Sequence, residues 1–342
     1  MNATLGTVIC ALGGIAGAVF ALPFRSVKGM KYESYWFVYA IAGLVLFPLI
    51  VGWTTCPPLF KVIGDTPSGA LWRSIGFGAM WGVGGLTWGL MIRYLGIGLG
   101  LALGCGLCSA TGTLIPPIAT GHASDLVKDT AALVTLASVV VSLVGIVFVG
   151  AAGKLKEGEL SEEEKKRAVR DFDFRKGILV AAFSGITSAG INFGLQSGAS
   201  MEQAAAAAGI DSKWIGMPVL VVVLWGGFVV NAVWCLWQNA KNRSFADYAV
   251  GLKAGVPVAL AALAGVIWAM QFVCQKVGEP AMGDIRYISF AVVMGSCVLF
   301  SSLLGVFLGE WKGTCAKTRV VLVTGLLVLA ASIGLATVAK SL

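Results

Sequence analysis

Three short stretches of this 342-residue chain combine groups that bond hydroxyls with groups that cover apolar surface. Trp81, Gly84, Gly85 and Trp88 recur at i, i+3, i+4 and i+7, so on a helix two indoles share a face with two bare backbone positions. Ser188, Asn192 and Gln196 recur at i, i+4 and i+8, and Trp268, Gln271, Phe272 and Gln275 at i, i+3, i+4 and i+7. A carboxamide both donates to and accepts from a hydroxyl, while an indole covers an apolar C–H face. The mixture suits a small, neutral, polyhydroxylated ligand, and a sugar is the natural class. The alternative makes Asn192, Gln196 and Gln271 interhelical hydrogen bonds and the tryptophans packing or interface anchors. That three such faces coincide favours a binding site.

Charge is nearly absent from the middles of the apolar runs. A carboxylate there costs roughly 2.5–3.5 kcal/mol on insertion scales and is retained for work such as proton transfer. The nearest candidates are Glu33, heading one run, and Asp284 with Arg286, heading another. Either could instead be an interfacial residue with access to water. Glu202, Asp211 and Glu310 read as solvated loop or helix-end charges.

Other chemistry fails on context. Cys105-Gly106-Leu107-Cys108 has metal-ligand spacing but sits in a glycine-rich apolar run without histidine or a second pair, so no metal is expected. The run Gly96-x-Gly98-x-Gly100 has no βαβ unit around it and is not a nucleotide fingerprint. One histidine, His122, and no clustered carboxylates argue against an enzyme, and no cofactor is implied. The eight cysteines are scattered and indicate no disulfide framework.

The elements that must position these faces follow from composition. The chain is 57% hydrophobic and 12% charged, too little polar surface for a soluble globule of this length, so it belongs in a lipid bilayer. Its net charge of +8 sits at the ends of apolar runs rather than on one basic element, which argues against nucleic acid. Runs of spanning length occupy about 4–24, 34–53, 74–92, 96–118, 131–152, 177–197, 214–237, 254–275, 288–309 and 320–339. The expected fold is therefore an all-α polytopic membrane protein with ten transmembrane helices. No cleavable signal peptide is evident, and the first run reads as the first span. Glycine recurs at Gly96, Gly100 and Gly104, with Cys108 and Gly112 continuing the row, an expected groove for a neighbouring helix.

The segment 153–176 carries 15 of the 42 charged side chains, 8 basic and 7 acidic, and reads as a linker. Ser161 and Glu164 form a capping box for a short solvated helix. This linker divides the spans five and five, giving halves 1–152 and 177–342. Because five is odd, a second half resembling the first enters the membrane the other way, the arithmetic of an inverted repeat. The 85–90 and 265–270 segments, Gly-Leu-Thr-Trp-Gly-Leu and Gly-Val-Ile-Trp-Ala-Met, align weakly in support. With both termini outside, 18 Lys and Arg lie on the cytoplasmic side and 7 opposite, so the linker is expected in the cytoplasm.

Gly78-Ala79-Met80-Trp81-Gly82-Val83-Gly84, Arg93-Tyr94-Leu95-Gly96 and Gly112-Thr113-Leu114-Ile115-Pro116-Pro117 carry a resemblance. So do Glu33 with Trp36, Gln271-Phe272, Tyr287-Ile288-Ser289 and Glu310-Trp311. In these motifs the chain resembles the L-rhamnose–proton symporter family of the drug/metabolite transporter superfamily. The resemblance implies two inverted five-helix repeats, a central substrate site with alternating access, and proton-coupled import of a deoxyhexose across a bacterial inner membrane. It supports Trp81, Gln271 and Tyr287 as pocket residues and Glu33 as the coupling carboxylate. Arg286 departs from the acidic residue common in the family just before Tyr-Ile-Ser. The combined expectation is a sugar site of Trp81, Trp88, Asn192, Gln196, Trp268, Gln271 and Tyr287, with Glu33 or Asp284 taking the proton. The partners are then a sugar, a proton and the bilayer, and the chain a monomer or weak homodimer. An exporter or exchanger of another small metabolite is the alternative; cationic or phosphate ligands would fit the uncharged interiors poorly.

Overall fold

The structure, a computed structural model, describes residues 3–119, 127–161, 163, 169, 171–282 and 289–338. His122, Glu164, Asp284, Arg286 and Tyr287 lie outside them, and with them most of the short helix expected from Ser161. Among the described residues there is helix and no strand. The helices are α1 (Ala3–Val19), α2 (Tyr32–Ala40), α3 (Phe47–Thr55), α4 (Leu59–Gly64), α5 (Ser68–Leu95), α6 (Ile97–Ala119) and α7 (Thr130–Glu159). After these come α8 (Phe174–Ser188), α9 (Gly190–Ser197), α10 (Ala199–Ala207), α11 (Met217–Asn242), α12 (Ala246–Ala254), α13 (Val256–Ala281), α14 (Ser289–Phe307) and α15 (Ala316–Val338).

Among the described residues, each apolar run read from the sequence falls mainly on helical residues. Eight helical stretches among the described residues are long and apolar enough to cross a membrane, and Ile97–Gly112 is a shorter apolar helix. The chain is thus a multi-pass membrane protein. The polar linker begins later than charge alone suggests, because α7 carries Lys154, Lys156, Glu157 and Glu159 in helical conformation. These residues are good helix formers and prolong the helix past its apolar part.

Local sequence explains the interruptions. Between α2 and α3 the chain widens into a π-turn, Ile41–Leu46, immediately before Pro48. Proline has no N–H to give the preceding turn and its ring crowds the carbonyl four residues back, a conflict that the wider turn relieves. Between α5 and α6, Gly96 has φ of +85°, a left-handed conformation that side chains with a Cβ rarely adopt. The glycine row therefore does not run as one groove. Gly98 is the position whose Cβ would lie 3.0 Å from the Gly305 Cα of α14, while Gly100 and Gly104 face the side chains of Met91 and Trp88. Asp173 caps α8 by accepting from the Lys176 N–H at 3.0 Å. That hydrogen bond and one from the Lys176 side chain hold its carboxyl below the usual carboxylate range.

The helices pack into two units, each drawing on both halves of the sequence. Unit 1 comprises Met1–Gly85 and Gly190–Gly283, and unit 2 comprises Leu86–Ala189 and Asp284–Leu342. In unit 1, α1 and the π-turn both lie against α13. There a Cβ on Gly43 would sit 2.4 Å from the Gly265 carbonyl, and one on Gly6 2.6 Å from that of Gly278. Such backbone approach is how helices associate where lipid removes the hydrophobic drive. Unit 2 packs α6 against α8 and α14, and α7 against α15.

Candidate functional site

Unit 1 has an aromatic interior. Trp268 is at the midpoint of the 26-residue α13 and Trp81 at the midpoint of the 28-residue α5. Their rings stack with centroids 5.0 Å apart and planes 23° from parallel. Phe272, one turn on from Trp268, lies 4.9 Å from it, and Tyr39 of α2 lies edge-on at 6.2 Å. Tyr39 in turn meets Trp36 at 4.6 Å, so rings run continuously from α2 to α5. Glycine makes the room: a Cβ on Gly227 of α11 would come within 2.2 Å of the Trp81 ring.

Gln271 lies on the Trp268 side of α13 at i+3. It is buried, and its carboxamide makes no hydrogen bond to another described residue. Gln275, one turn further, is also buried, with its Oε1 unpartnered. Hence the stripe read on α13 faces the interior of unit 1. It offers amide groups that interhelical bonding has not used up.

Amides that do tie helices together are ones the sequence reading passed over. Asn231 of α11 accepts from the Trp36 Nε1–H at 2.9 Å and donates to the Gly227 carbonyl at 2.8 Å. Asn239, two turns along the same face, places its Oδ1 3.0 Å from the hydroxyl oxygens of both Ser34 and Ser244. Their i, i+8 spacing was the available signal.

The stripe Ser188, Asn192, Gln196 does not form on one helix. α8 ends at Ser188 and α9 begins at Gly190, so Ser188 belongs to unit 2 and the two amides to unit 1. Asn192 is half-buried and Gln196 exposed. Gly190 sits where a Cβ would meet the Phe77 carbonyl at 2.8 Å, which places the start of α9 directly on α5. In unit 2, Trp88 donates from Nε1 to the Ser188 hydroxyl at 2.7 Å, and Thr87 pairs with Ser184. Trp81 and Trp88, read as one face of α5, thus belong to different units and have different partners.

Glu33 is buried at the start of α2, where its Oε1 accepts from Asn242 Nδ2 and Ser244 Oγ at 2.8 Å each. The neighbouring Ser34 donates to Asp247 at 2.9 Å, and the Lys31 N–H does so at 2.8 Å. This polar cluster closes the end of unit 1 at which α11 and α12 meet, beyond the aromatic interior.

Glu310, read from the sequence as a solvated loop or helix-end charge, is buried, and so are Lys276 and Lys156. Lys276 of α13 pairs with Glu202 of α10 at 2.6 Å and with Glu279 at 3.2 Å. In unit 2, Lys156 is buried with its ammonium about equally close to the rings of Phe172 and Trp311, 5.1 and 5.0 Å from their centroids. Glu310, also buried, caps α6 by accepting from the N–H groups of Ile97 at 2.8 Å and Gly98 at 3.0 Å. No metal-holding group of three His, Cys, Asp or Glu occurs among the described residues.

A family model described as L-rhamnose-proton symport protein matches residues 1–339. An L-rhamnose-proton symporter of Yersinia pestis (strain Pestoides F) is 33% identical over 330 residues, 95% of this chain and 94% of that one. One of Salmonella paratyphi B is 32% identical over 333 residues, 95% of each. No solved structure matches the chain. With its whole length matched and its multi-pass helical fold in accord, this chain belongs to the L-rhamnose-proton symport protein family.

Proposed function

We propose that this protein imports L-rhamnose, or a deoxyhexose close to it, together with a proton, by alternating access across a bacterial inner membrane. The observation that carries the proposal is the buried Trp81–Trp268 stack beside Gln271, halfway along two helices of membrane-spanning length. A deoxyhexose has hydroxyls for an amide and a methyl and C–H face for an aromatic wall. In this reading the sugar lies against Trp81, Trp268 and Phe272 and hydrogen-bonds to Gln271. Asn192, Gln196, Trp88 and Tyr287 are assigned to the sugar's path on the sequence reading.

The same reading assigns ten spans in two inverted repeats, 1–152 and 177–342, joined by a cytoplasmic linker, with both termini periplasmic. On this topology Glu33 is at the cytoplasmic end of unit 1. A carboxylate that accepts two hydrogen bonds there would have to rearrange them on taking a proton, so Glu33 is suited to the inner end of a proton route. Asp284 keeps its place as a candidate on the sequence reading.

A thermal-shift screen of free hexoses and deoxyhexoses on the purified protein tests the substrate class. L-Rhamnose should raise the unfolding temperature more than hexoses of other configuration do, and by more in acid than in alkali, since ligand and proton that favour one conformation reinforce each other. Stabilisation by none of the sugars, or equally by all, would contradict it.

A further inference from the structure

Lys276 has a side chain only 7% exposed, whereas its partners Glu202 and Glu279 are 29% and 25% exposed. Gly216, ahead of α11, makes room for the lysine stem: a Cβ there would lie 2.8 Å from its Cδ. An ammonium among apolar helices needs one carboxylate to neutralise it, and this one has two. With both carboxylates ionised the cluster carries one net negative charge. With one protonated it is neutral, and the lysine still keeps a partner. Water reaches the carboxylates more readily than the ammonium, so proton exchange does not require the lysine to leave its seat.

We propose that Glu202, Lys276 and Glu279 form the proton-loading site of the transport cycle, at the end of α13 opposite the Glu33 cluster; this rests on the proton-symport reading above. On the topology proposed there, this end faces the periplasm, from which the imported proton arrives. Glu279, the more distant partner at 3.2 Å, takes the proton. A hydronium ion gives up a proton, an O–H bond forms on the Glu279 carboxylate, and water departs. The Lys276 ammonium then pairs with Glu202 alone.

That change bears on the elements that hold the proposed sugar site. Glu202 is on α10, which follows α9 with Asn192 and Gln196 after the single residue Gly198. Lys276 is five positions after Gln271 on α13. A stronger Glu202–Lys276 bond therefore fixes α10 to the helix that carries Trp268 and Gln271, so proton and sugar bias the same pair of elements. Cys10 of α1 also faces the cluster, interacting with Glu279 and with Cys274 of α13. Asp211 and Lys213, in the exposed turn before α11, pair with each other at 3.3 Å.

The test is carried out on the full chain reconstituted in liposomes with labelled L-rhamnose, comparing accumulation driven by an acid-outside gradient with sugar-for-sugar counterflow, which needs no net proton movement. Glu279→Gln should lose gradient-driven accumulation about tenfold or more while counterflow persists, and Glu279→Asp should restore the coupling. Where Glu279→Gln does not fold, Glu202→Gln leaves Lys276 a single carboxylate that must stay ionised and should lose coupling likewise. Gradient-driven accumulation at the wild-type level in both glutamine variants would overturn the assignment, all the more if Glu33→Gln abolished it. A wild-type protein indifferent to the gradient would overturn the symport reading itself, and this site with it.

Discussion

Trp81 and Trp268, 187 positions apart in sequence, lie ring on ring at 5.0 Å, each at the middle of its helix. Neither indole depends on a water-accessible surface, and between them they turn the centre of unit 1 into a flat apolar wall. If that wall carries the sugar, Trp268→Ala and Trp81→Ala should each weaken L-rhamnose binding on the order of tenfold to a hundredfold. Trp268→Phe, which retains a ring, should weaken it less. Isothermal titration of the purified variants, with folding checked by size exclusion, reads this directly. Binding unchanged in both alanine variants would remove the stack from the site.

Asn231 presents a different kind of prediction, because its carboxamide holds Trp36 rather than waiting for a ligand. Replacing it with leucine leaves the buried Trp36 N–H without its acceptor and should cost about 1–3 kcal/mol of stability. Trp36→Phe should remove the same N–H, so the double variant should be less destabilised than the two single effects summed. Thermal unfolding of the four proteins in one detergent completes the cycle.

Close backbone approach makes glycine at 43 a matter of volume. A Cβ there would lie 2.4 Å from the Gly265 carbonyl, whereas at Gly64 it would meet nothing within 4 Å. Gly43→Val should therefore abolish the monodisperse folded protein, while Gly64→Ala should leave its yield unchanged. Equal yields for the two would show that the π-turn and α13 do not meet as described.

Asp173 provides a pH-dependent case outside the spans. Its carboxyl is held below its ordinary value by the Lys176 N–H and then by the Lys176 side chain, so the folded state binds its proton less readily than the unfolded chain does. Its stabilising effect is therefore complete above the unfolded pKa, about 3.9, and is lost as pH falls through the lower folded value. Asp173→Ala should lose about 1 kcal/mol at neutral pH through the missing cap, and the difference from wild type should shrink in strong acid. Denaturation curves at neutral and acid pH check both parts.

How far the sequence led depended on whether a signal was local. Apolar length found the helices because hydrocarbon thickness leaves little choice, and the Trp268, Gln271, Phe272, Gln275 stripe was legible because one helix carries all four on its buried side. The stripe from Ser188 to Gln196 kept helical spacing across a helix boundary that spacing does not reveal. Lys276 and Glu279 escape a reading by apolar length, because the apolar run ends at Gln275 whereas the helix continues to Ala281. Glu33 was noticed, but its partners Asn242 and Ser244 are 209 and 211 positions away, and no reading of neighbours in sequence supplies them.

Sugar entry driven by a proton gradient underlies every role proposed above. The most direct measurement is the uptake of labelled L-rhamnose into sealed proteoliposomes, with the outside made acid relative to the lumen and, in parallel, with the two sides at equal pH. Accumulation inside to several times the external concentration, collapsing when a protonophore dissipates the gradient, is the predicted result. Uptake that stops at equal concentration on both sides whether or not the gradient is present would contradict it.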